Sequence, residues 1–327
     1  MHDVFDVSVA QVDRLSSDVN RIWLTFPDGS RCYQPGGHLK FHLPLQNGIA
    51  SRSYSMVGVD ENGRICIAVR RAEQSAGGSE YMHTLEQGDT VRLETAPNHL
   101  PVTYAGTDYA LVAGGIGITP LIGIGRALLR ASKTVRFVYL VREASNAPFI
   151  NELRDTFGDA LTLHDDSVSG LFDTAAFVKS LSADSFLYMC GPTPMMDAMK
   201  GAWKTDGRPS NQLRFETFGS SGRFPAVPFE VEVVETGDVV QVAANQGMLD
   251  ALMAANQPVM FDCRKGECGL CKVNILSSES EVDHRDVFLS AQEKTANHAM
   301  CCCVSRAHGG RLIVSVDGIT HGRSAPD

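Results

Sequence analysis

Cys263-Arg264-Lys265-Gly266-Glu267-Cys268-Gly269-Leu270-Cys271 spaces three thiols as C-x4-C-x2-C. This is the spacing that wraps a [2Fe-2S] cluster, whose fourth thiolate lies further along the chain. Glycines at 266 and 269 let a tight loop turn its backbone N–H groups toward the sulfurs while the thiolates bind iron. The fourth thiol needs a returning strand, and Met300-Cys301-Cys302-Cys303-Val304-Ser305-Arg306 supplies one with three candidates. Zinc is the alternative occupant, since four cysteines also bind it tetrahedrally. Zinc ribbons, however, pair two C-x2-C knuckles, so the spacing here favours the cluster.

Outward from this loop, the remaining composition is that of an ordinary folded protein. Of nine cysteines, Cys32, Cys66 and Cys190 are scattered, and the other six fall between 263 and 303. In a reducing compartment such crowding points to a metal centre before disulfides. A net charge of −9 argues against a nucleic-acid partner, which calls for clustered Lys and Arg. The N-terminal stretch shows no basic segment followed by an apolar one, and nowhere do 18 apolar residues run together. The expectation is a cytoplasmic protein with no membrane partner. At 327 residues, 43% hydrophobic and 20% charged, the chain has material for two or three domains of roughly 100 to 150 residues.

The hydrophobic pattern changes twice. From Phe5 to about Val102, short alternating runs such as RIWLTF, HLKFHLPL and RICIAVR are separated by Pro27-Asp28-Gly29, Pro35-Gly36-Gly37 and Glu61-Asn62-Gly63. That spacing predicts an antiparallel barrel. From Tyr109, apolar runs YALVAGG, RFVYLVR and SFLYMCG alternate with helical patterns over 120–131, PFINELRDTF and TPMMDAMKGAWK. Alternating strand and helix predict a parallel sheet covered on both faces. Gly219 to Pro228, rich in Gly, Ser and Pro, reads as a linker. Beyond it FEVEVVETGDVVQVAA suggests a hairpin turning at Thr236-Gly237-Asp238, followed by a short amphipathic helix GMLDALMAAN.

Glycine-rich turns mark candidate phosphate sites. Ala113-Gly114-Gly115-Ile116-Gly117-Ile118-Thr119-Pro120 joins a predicted strand to a predicted helix, so backbone and helix N-terminus can approach a dinucleotide pyrophosphate. It is not a G-x-G-x-x-G fingerprint, and taken singly it reads equally as an ordinary turn. Cys190-Gly191-Pro192-Thr193-Pro194-Met195-Met196 ends another strand. Ala76-Gly77-Gly78-Ser79 opens a helix whose free N–H groups suit a phosphate. Two further runs are read as carrying no chemistry. His284-Arg285-Asp286 has the letters of a kinase catalytic loop but none of the other kinase parts, and is expected to be a plain loop. His164-Asp165-Asp166 reads as a surface turn.

Taken in order, Arg52-Ser53-Tyr54-Ser55 (R-x-Y-S), GGIGITP at 114–120, CGP-x-P-M-M at 190–196 and the thiol loop resemble the ferredoxin reductase superfamily over essentially the whole chain. Within it the chain resembles the phthalate dioxygenase reductase and vanillate demethylase reductase branch. The resemblance implies three domains: an FMN-binding antiparallel β-barrel (1–103), an NAD-binding α/β parallel-sheet domain (104–225) and an α+β, β-grasp ferredoxin domain of plant type (226–327). It implies FMN rather than FAD, held by Gly77, Gly78 and Ser79 with Arg52 on its phosphate, Tyr54 against its ring and a hydroxyl of Ser53 or Ser55 near N5. For Arg52 the alternative is a solvated arginine on a surface strand. NADH is placed over Gly114, Gly115, Gly117, Thr119 and Pro120 and against Cys190, Gly191 and Pro192, Cys190 acting by position; otherwise Cys190 is a small buried core residue. Leu213-Arg214-Phe215-Glu216-Thr217-Phe218 resembles the family's H-x-E-x-F segment, with Arg214 where a histidine is usual. Glu216 and Phe218 still match, Phe218 either covering the flavin or serving as core. The match of Cys303-Val304-Ser305-Arg306 makes Cys303 the fourth ligand beside Cys263, Cys268 and Cys271. Cys301, with 29 residues intervening after Cys271 as in many plant ferredoxins, competes with it.

The implied function is the reductase component of a Rieske-type oxygenase. Hydride passes from NADH to FMN, and single electrons pass through the cluster to the oxygenase, with no residue needed as acid or base. NADH is favoured because no basic cluster awaits a 2′-phosphate, although Arg142 keeps NADPH open. The acidic chain is expected to dock on a basic patch of its partner and to be a monomer. The alternatives are a reductase for a diiron monooxygenase, in which the ferredoxin more often comes first, and a non-enzymatic, metal-stabilised scaffold.

Overall fold

The computed structural model describes residues 4–27, 33–45, 48–72, 77–218, 224–266 and 268–316. Cys32, Ala76, Glu267, the Asp28-Gly29 turn and residues 219–223 of the expected linker lie outside them. Contacts divide the chain into two compact units, Met1–Glu216 and Thr217–Asp327.

The first unit begins with six strands: β1 (Val4–Arg14), β2 (Val19–Thr25), β3 (His38–Leu45), β4 (Gly48–Val59), β5 (Ile65–Arg70) and β6 (Thr90–Thr95). They close into an antiparallel barrel in the order β1-β2-β5-β4-β3-β6, the expected architecture. Alternation drives it: Ile22 and Leu24, then Leu39, Phe41 and Leu43, point inward and are almost fully buried. The turn glycines behave as their positions demand, with Gly36 at φ +79° and Gly63 at φ +77°. Strand β4, GIASRSYSMVGV, shows little apolar alternation of its own. It is held by its neighbours β3 and β5, with a bulge between Met56 and Gly58. A short helix α1 (Gly78–His83) bridges β5 and β6.

The second half of this unit is a parallel sheet ordered β11-β10-β7-β8-β9. Its strands are β7 (Asp108–Gly114), β8 (Thr134–Val141), β9 (Leu161–Asp165), β10 (Phe186–Cys190) and β11 (Leu213–Glu216). Its helices are α2 (Ile118–Arg130), α3 (Ile150–Phe157), α4 (Asp166–Ser169), α5 (Thr174–Lys179) and α6 (Thr193–Thr205). β7 and β8 are near-continuous apolar runs because both faces are covered. The PFINELRDTF helix starts only at Ile150, since Phe149 takes φ 64° and ends the preceding turn. His164-Asp165-Asp166, expected as a surface turn, is instead the end of β9 and the first residue of α4, whose start Asp165 caps by accepting from Ser167 N.

The second unit holds β12 (Phe229–Val233), β13 (Asp238–Val242), α7 (Met248–Ala254), β14 (Lys272–Ser278), β15 (Val282–Asp283), α8 (Ala291–Ala296), β16 (Ala299–Cys301), β17 (Arg306–Ala307) and β18 (Arg311–Ser315). The hairpin β12–β13 turns through Gly237 at φ +72°. A five-stranded sheet runs β13-β12-β18-β14-β16, with β12 and β18 parallel. α7 closes it through buried Met248, Leu249 and Leu252. This is the α+β ferredoxin arrangement the sequence led us to expect.

Phe137 on β8 is fully buried and meets Phe157 of α3 edge-on, ring centroids 4.8 Å apart. Phe137→Ala should cost the first unit about 3–5 kcal/mol, read as an earlier denaturant midpoint in the fluorescence of Trp203, buried in the same unit.

Candidate functional site

In the parallel sheet, register brings the glycine motifs together. Cys190, the last residue of β10, stands opposite Ala113 on β7 and opposite Glu216 on β11. Three stretches far apart in sequence therefore end level at the carboxyl edge of the sheet, where ligands of open α/β sheets bind. The loops after β7 and β10 are in backbone contact. A Cβ on Gly117 would lie 2.2 Å from the Cys190 carbonyl oxygen, and one on Gly191 would lie 2.9 Å from Gly114 Cα. On Gly114 it would meet Pro192 Cδ at 2.6 Å. These glycines thus serve chain-to-chain approach rather than open space for a ligand. Gly115 differs: it takes φ +53° and has nothing within 4 Å of a built Cβ. Thr119 is buried and donates its hydroxyl to Ile116 O at 3.0 Å, tightening the turn into α2, where Pro120 is also buried. Cys190 and Glu216 are likewise buried.

Arg52-Ser53-Tyr54-Ser55, expected just after a barrel strand, lies within β4 itself. The Arg52 side chain runs over Gly78 at the start of α1, where a Cβ would meet Arg52 Nε at 2.8 Å. Gly77, φ +84°, caps that helix without a side-chain hydrogen bond, while Ser79 Oγ accepts from Ala72 N at 3.1 Å. Arginine and glycine turn, 25 residues apart in sequence, therefore form one cationic, N–H-rich corner. Tyr54 sits edge-on to Phe41, ring centroids 5.4 Å apart, and burial pushes its phenol up despite the Arg52 charge. Ser55 is buried opposite His38, and Ser53 is half-buried.

The two halves of this unit are also strapped together, which no sequence motif announced. α2, which begins at the nucleotide loop, packs against β4, which carries Arg52 to Ser55. Arg21 of β2 pairs with Glu152 of α3 and, at 2.9 Å, with Asp13; Arg126 of α2 reaches the same Glu152 at 3.7 Å. Cys66 lies within this seam, and burial pushes its thiol up to about 12, leaving it an inert core group.

In the second unit, residues 263–271 form the thiol loop, with Arg264, Gly266 and Gly269 at φ +53°, +72° and +74°. Lys265 N and Cys268 N each donate to Cys263 Sγ at 3.4 Å, the inward-pointing amides that a thiolate cluster favours. Cys271 is buried, and the neighbouring thiols of Cys301, Cys302 and Cys303 hold its thiol well below the usual range. Cys301 and Cys302 are fully buried, whereas Cys263, Cys268 and Cys303 are partly exposed. Among the described residues, no three His, Cys, Asp or Glu side chains converge as a single metal ion would require. The thiol-rich donor set with its amides fits an iron–sulfur cluster. Phe218, half-buried, falls in this second unit. The run His284-Arg285-Asp286 is indeed a loop, its first two residues half-buried and Asp286 buried against Gly266.

Gly117→Ala should destabilise the first unit by about 3 kcal/mol, the upper range for overpacking against backbone. Gly115→Ala should cost only about 1–2 kcal/mol, the penalty of a left-handed residue with room around it. Thermal unfolding of both variants checks the order.

Comparison with known proteins agrees with this architecture. Residues 6–100 match the oxidoreductase FAD-binding domain, and residues 231–308 match the 2Fe-2S iron-sulfur cluster binding domain. The chain is 32% identical to the heme-dependent oxidative N-demethylase beta subunit of Ectopseudomonas mendocina, over 97% of this chain and 100% of the relative. It is 31% identical to phthalate dioxygenase reductase of Burkholderia cepacia, over 95% and 97%. A solved structure of phthalate dioxygenase reductase, described as modular for electron transfer from pyridine nucleotides to [2Fe-2S], superposes with a TM-score of 0.75 at 30% identity, covering 95% of this chain and 98% of that one. The chain belongs to the phthalate dioxygenase reductase-like family, the flavin and iron–sulfur oxidoreductases that form the reductase components of oxygenase systems.

Proposed function

We propose that this chain takes hydride from NADH on FMN and delivers single electrons through a [2Fe-2S] cluster to a Rieske-type oxygenase. The observation that carries the reading is the level ending of Ala113, Cys190 and Glu216, on a sheet whose helix α2 leans on the strand bearing Arg52 to Ser55. When bound, a flavin converts a two-electron hydride into single electrons and an iron–sulfur cluster relays them one at a time. The chain's own part is positioning. Gly115 and the N-terminus of α2 receive the pyrophosphate, with Thr119 and Pro120 shaping the turn, while Gly114, Gly117, Gly191 and Pro192 hold the two loops together. Cys190, buried at the end of β10, acts by position and transfers no proton. Arg52 and the amides at the start of α1, of Gly78 and Ser79, hold a flavin phosphate, Gly77 permitting the turn. Tyr54 and the Ser53 and Ser55 hydroxyls line the ring side.

FMN is preferred to FAD because the corner of Arg52 and α1 serves one phosphate, and because the resemblance lies with the FMN branch. Cys263, Cys268, Cys271 and Cys303 are the proposed ligands. Cys303 is favoured by the resemblance of Cys303-Val304-Ser305-Arg306 and because, of the three returning thiols, it shares the partial exposure of Cys263 and Cys268. Residues 1–103, 104–225 and 226–327 are the three proposed domains, and both matched family segments fall inside them. Relatives named as oxygenase reductases support an oxygenase acceptor, and the order barrel, nucleotide sheet, ferredoxin favours a Rieske partner over a diiron one. Among the described residues no helix is long and apolar enough to cross a membrane. A cytoplasmic monomer is the proposed working form.

Adding NADH to the purified protein without oxygen should bleach flavin absorbance and raise a rhombic reduced-cluster resonance. Flavin released by denaturation should have the mass of FMN; recovery of FAD would overturn that assignment. Cys268→Ser should abolish reduction of a one-electron protein acceptor and spare NADH–ferricyanide activity. Loss of both activities with flavin still bound would refute the division of labour.

A further inference from the structure

The run His284-Arg285-Asp286, half-buried at its start and buried at Asp286, lies between the two segments that carry the thiols. The Asp286 carboxylate is 2% exposed; its Oδ2 accepts from Leu289 N at 2.8 Å and its Oδ1 from the Ser305 hydroxyl at 3.1 Å. Ser305 lies two residues beyond Cys303, and its oxygen also accepts from Arg285 N at 3.1 Å. On the other side, Val287 N and Phe288 N donate to the carbonyl of Gly266, at 2.9 and 3.1 Å, in the middle of the thiol loop. Gly266 packs so closely that a Cβ there would stand 2.8 Å from Asp286 Cα. The segment from Asp286 to Phe288 therefore ties the loop of Cys263, Cys268 and Cys271, through its backbone amides, to the turn of Cys301, Cys302 and Cys303, through the Asp286 carboxylate on Ser305.

Among the described residues, two basic side chains stand near the Asp286 carboxylate. Lys294 of α8 donates to the Asp286 carbonyl and holds its Nζ 3.8 Å from Oδ2. His284 Nδ1 is 3.9 Å from Oδ1, while its Nε2 bonds Asn297 Oδ1 at 2.8 Å. Arg285 turns away, to Asp283 at 2.8 Å and Phe224 O at 3.4 Å. Nothing places Asp286 as an acid or base.

We propose that Asp286 is a positioning residue of the iron–sulfur site, clamping the thiol loop to the returning turn and, as a buried negative charge partly offset by Lys294, holding the cluster's reduction potential down. The inference rests on the cluster reading above. Its physics is general: an added electron is disfavoured beside a fixed negative charge, and burial strengthens that effect while salt screens it little. Partners outside the ligand shell tune a metal site in this way.

The test uses the full-length, cluster-loaded protein and the variants Asp286→Asn, Lys294→Gln and Ser305→Ala, with iron content, reduced-cluster resonance and midpoint potential measured for each. Asp286→Asn, which keeps the shape and removes the charge, should raise the potential; Lys294→Gln should lower it. Ser305→Ala, which removes two hydrogen bonds and no charge, should speed iron loss while moving the potential less than either. A purely structural Asp286 would give iron loss without shifts of opposite sign. Unchanged potentials in loaded Asp286→Asn and Lys294→Gln, or shifts of the same sign, overturn the proposal. Should Asp286→Asn fail to retain iron, Lys294→Gln decides alone, and an unchanged or raised potential sinks the idea. Wild-type protein without an iron–sulfur resonance would instead refute the cluster reading itself.

Discussion

Backbone meeting backbone at the carboxyl edge of the parallel sheet is the constraint on which the first unit depends. Gly117 lies against the Cys190 carbonyl and Gly114 against Gly191 and Pro192, so two loops share a space that side chains would fill. That closeness aims α2, and α2 in turn rests on the barrel strand carrying Arg52 to Ser55. The Arg21–Glu152–Arg126 strap closes the same seam with charge. Two separately built layers thereby become one frame for a nucleotide and a flavin, which suits chemistry that needs orientation more than acid–base help.

The second unit meets its demand differently. Its thiol loop departs from regular structure, with Arg264, Gly266 and Gly269 at positive φ among its described residues, and such a loop must be held from outside. The sheet holds one end, where Lys272 of β14 pairs with Cys301 of β16. The segment 284–289 holds the middle, through Gly266. Phe288 covers Gly269 so closely that a Cβ there would lie 2.3 Å from its ring. Both glycines of the motif are therefore required by neighbours as well as by backbone geometry.

Much of this was legible in the sequence, for identifiable reasons. Alternation announced the barrel because its interior is uniformly apolar, and strand–helix alternation announced the parallel sheet for the same reason. The spacing of Cys263, Cys268 and Cys271 announced the cluster loop. Strand β4 was blurred, since Arg52 and three serines interrupt its pattern and only its neighbours make it a strand. The roles of the glycines at 114, 117 and 191 were hidden because a turn and a close contact use the same residue. His164-Asp165-Asp166 looked like a turn because polar residues end a strand and start a helix as readily as they fill a loop. The burial of Asp286 against Gly266 was invisible, because its letter ordinarily marks solvent.

The ferredoxin sheet places its last strand beside its first, β18 running parallel to β12, with Arg311 pairing to Glu230 across 81 positions. β18 also separates β12 from β14, the strand that leaves Cys271. During synthesis this unit therefore has no continuous sheet until residues 311–315 have left the ribosome, and pairings so distant are slow to form. Iron insertion must wait for, or help to drive, the arrival of that strand. A nascent chain stalled before it would carry six cysteines on an unfinished support.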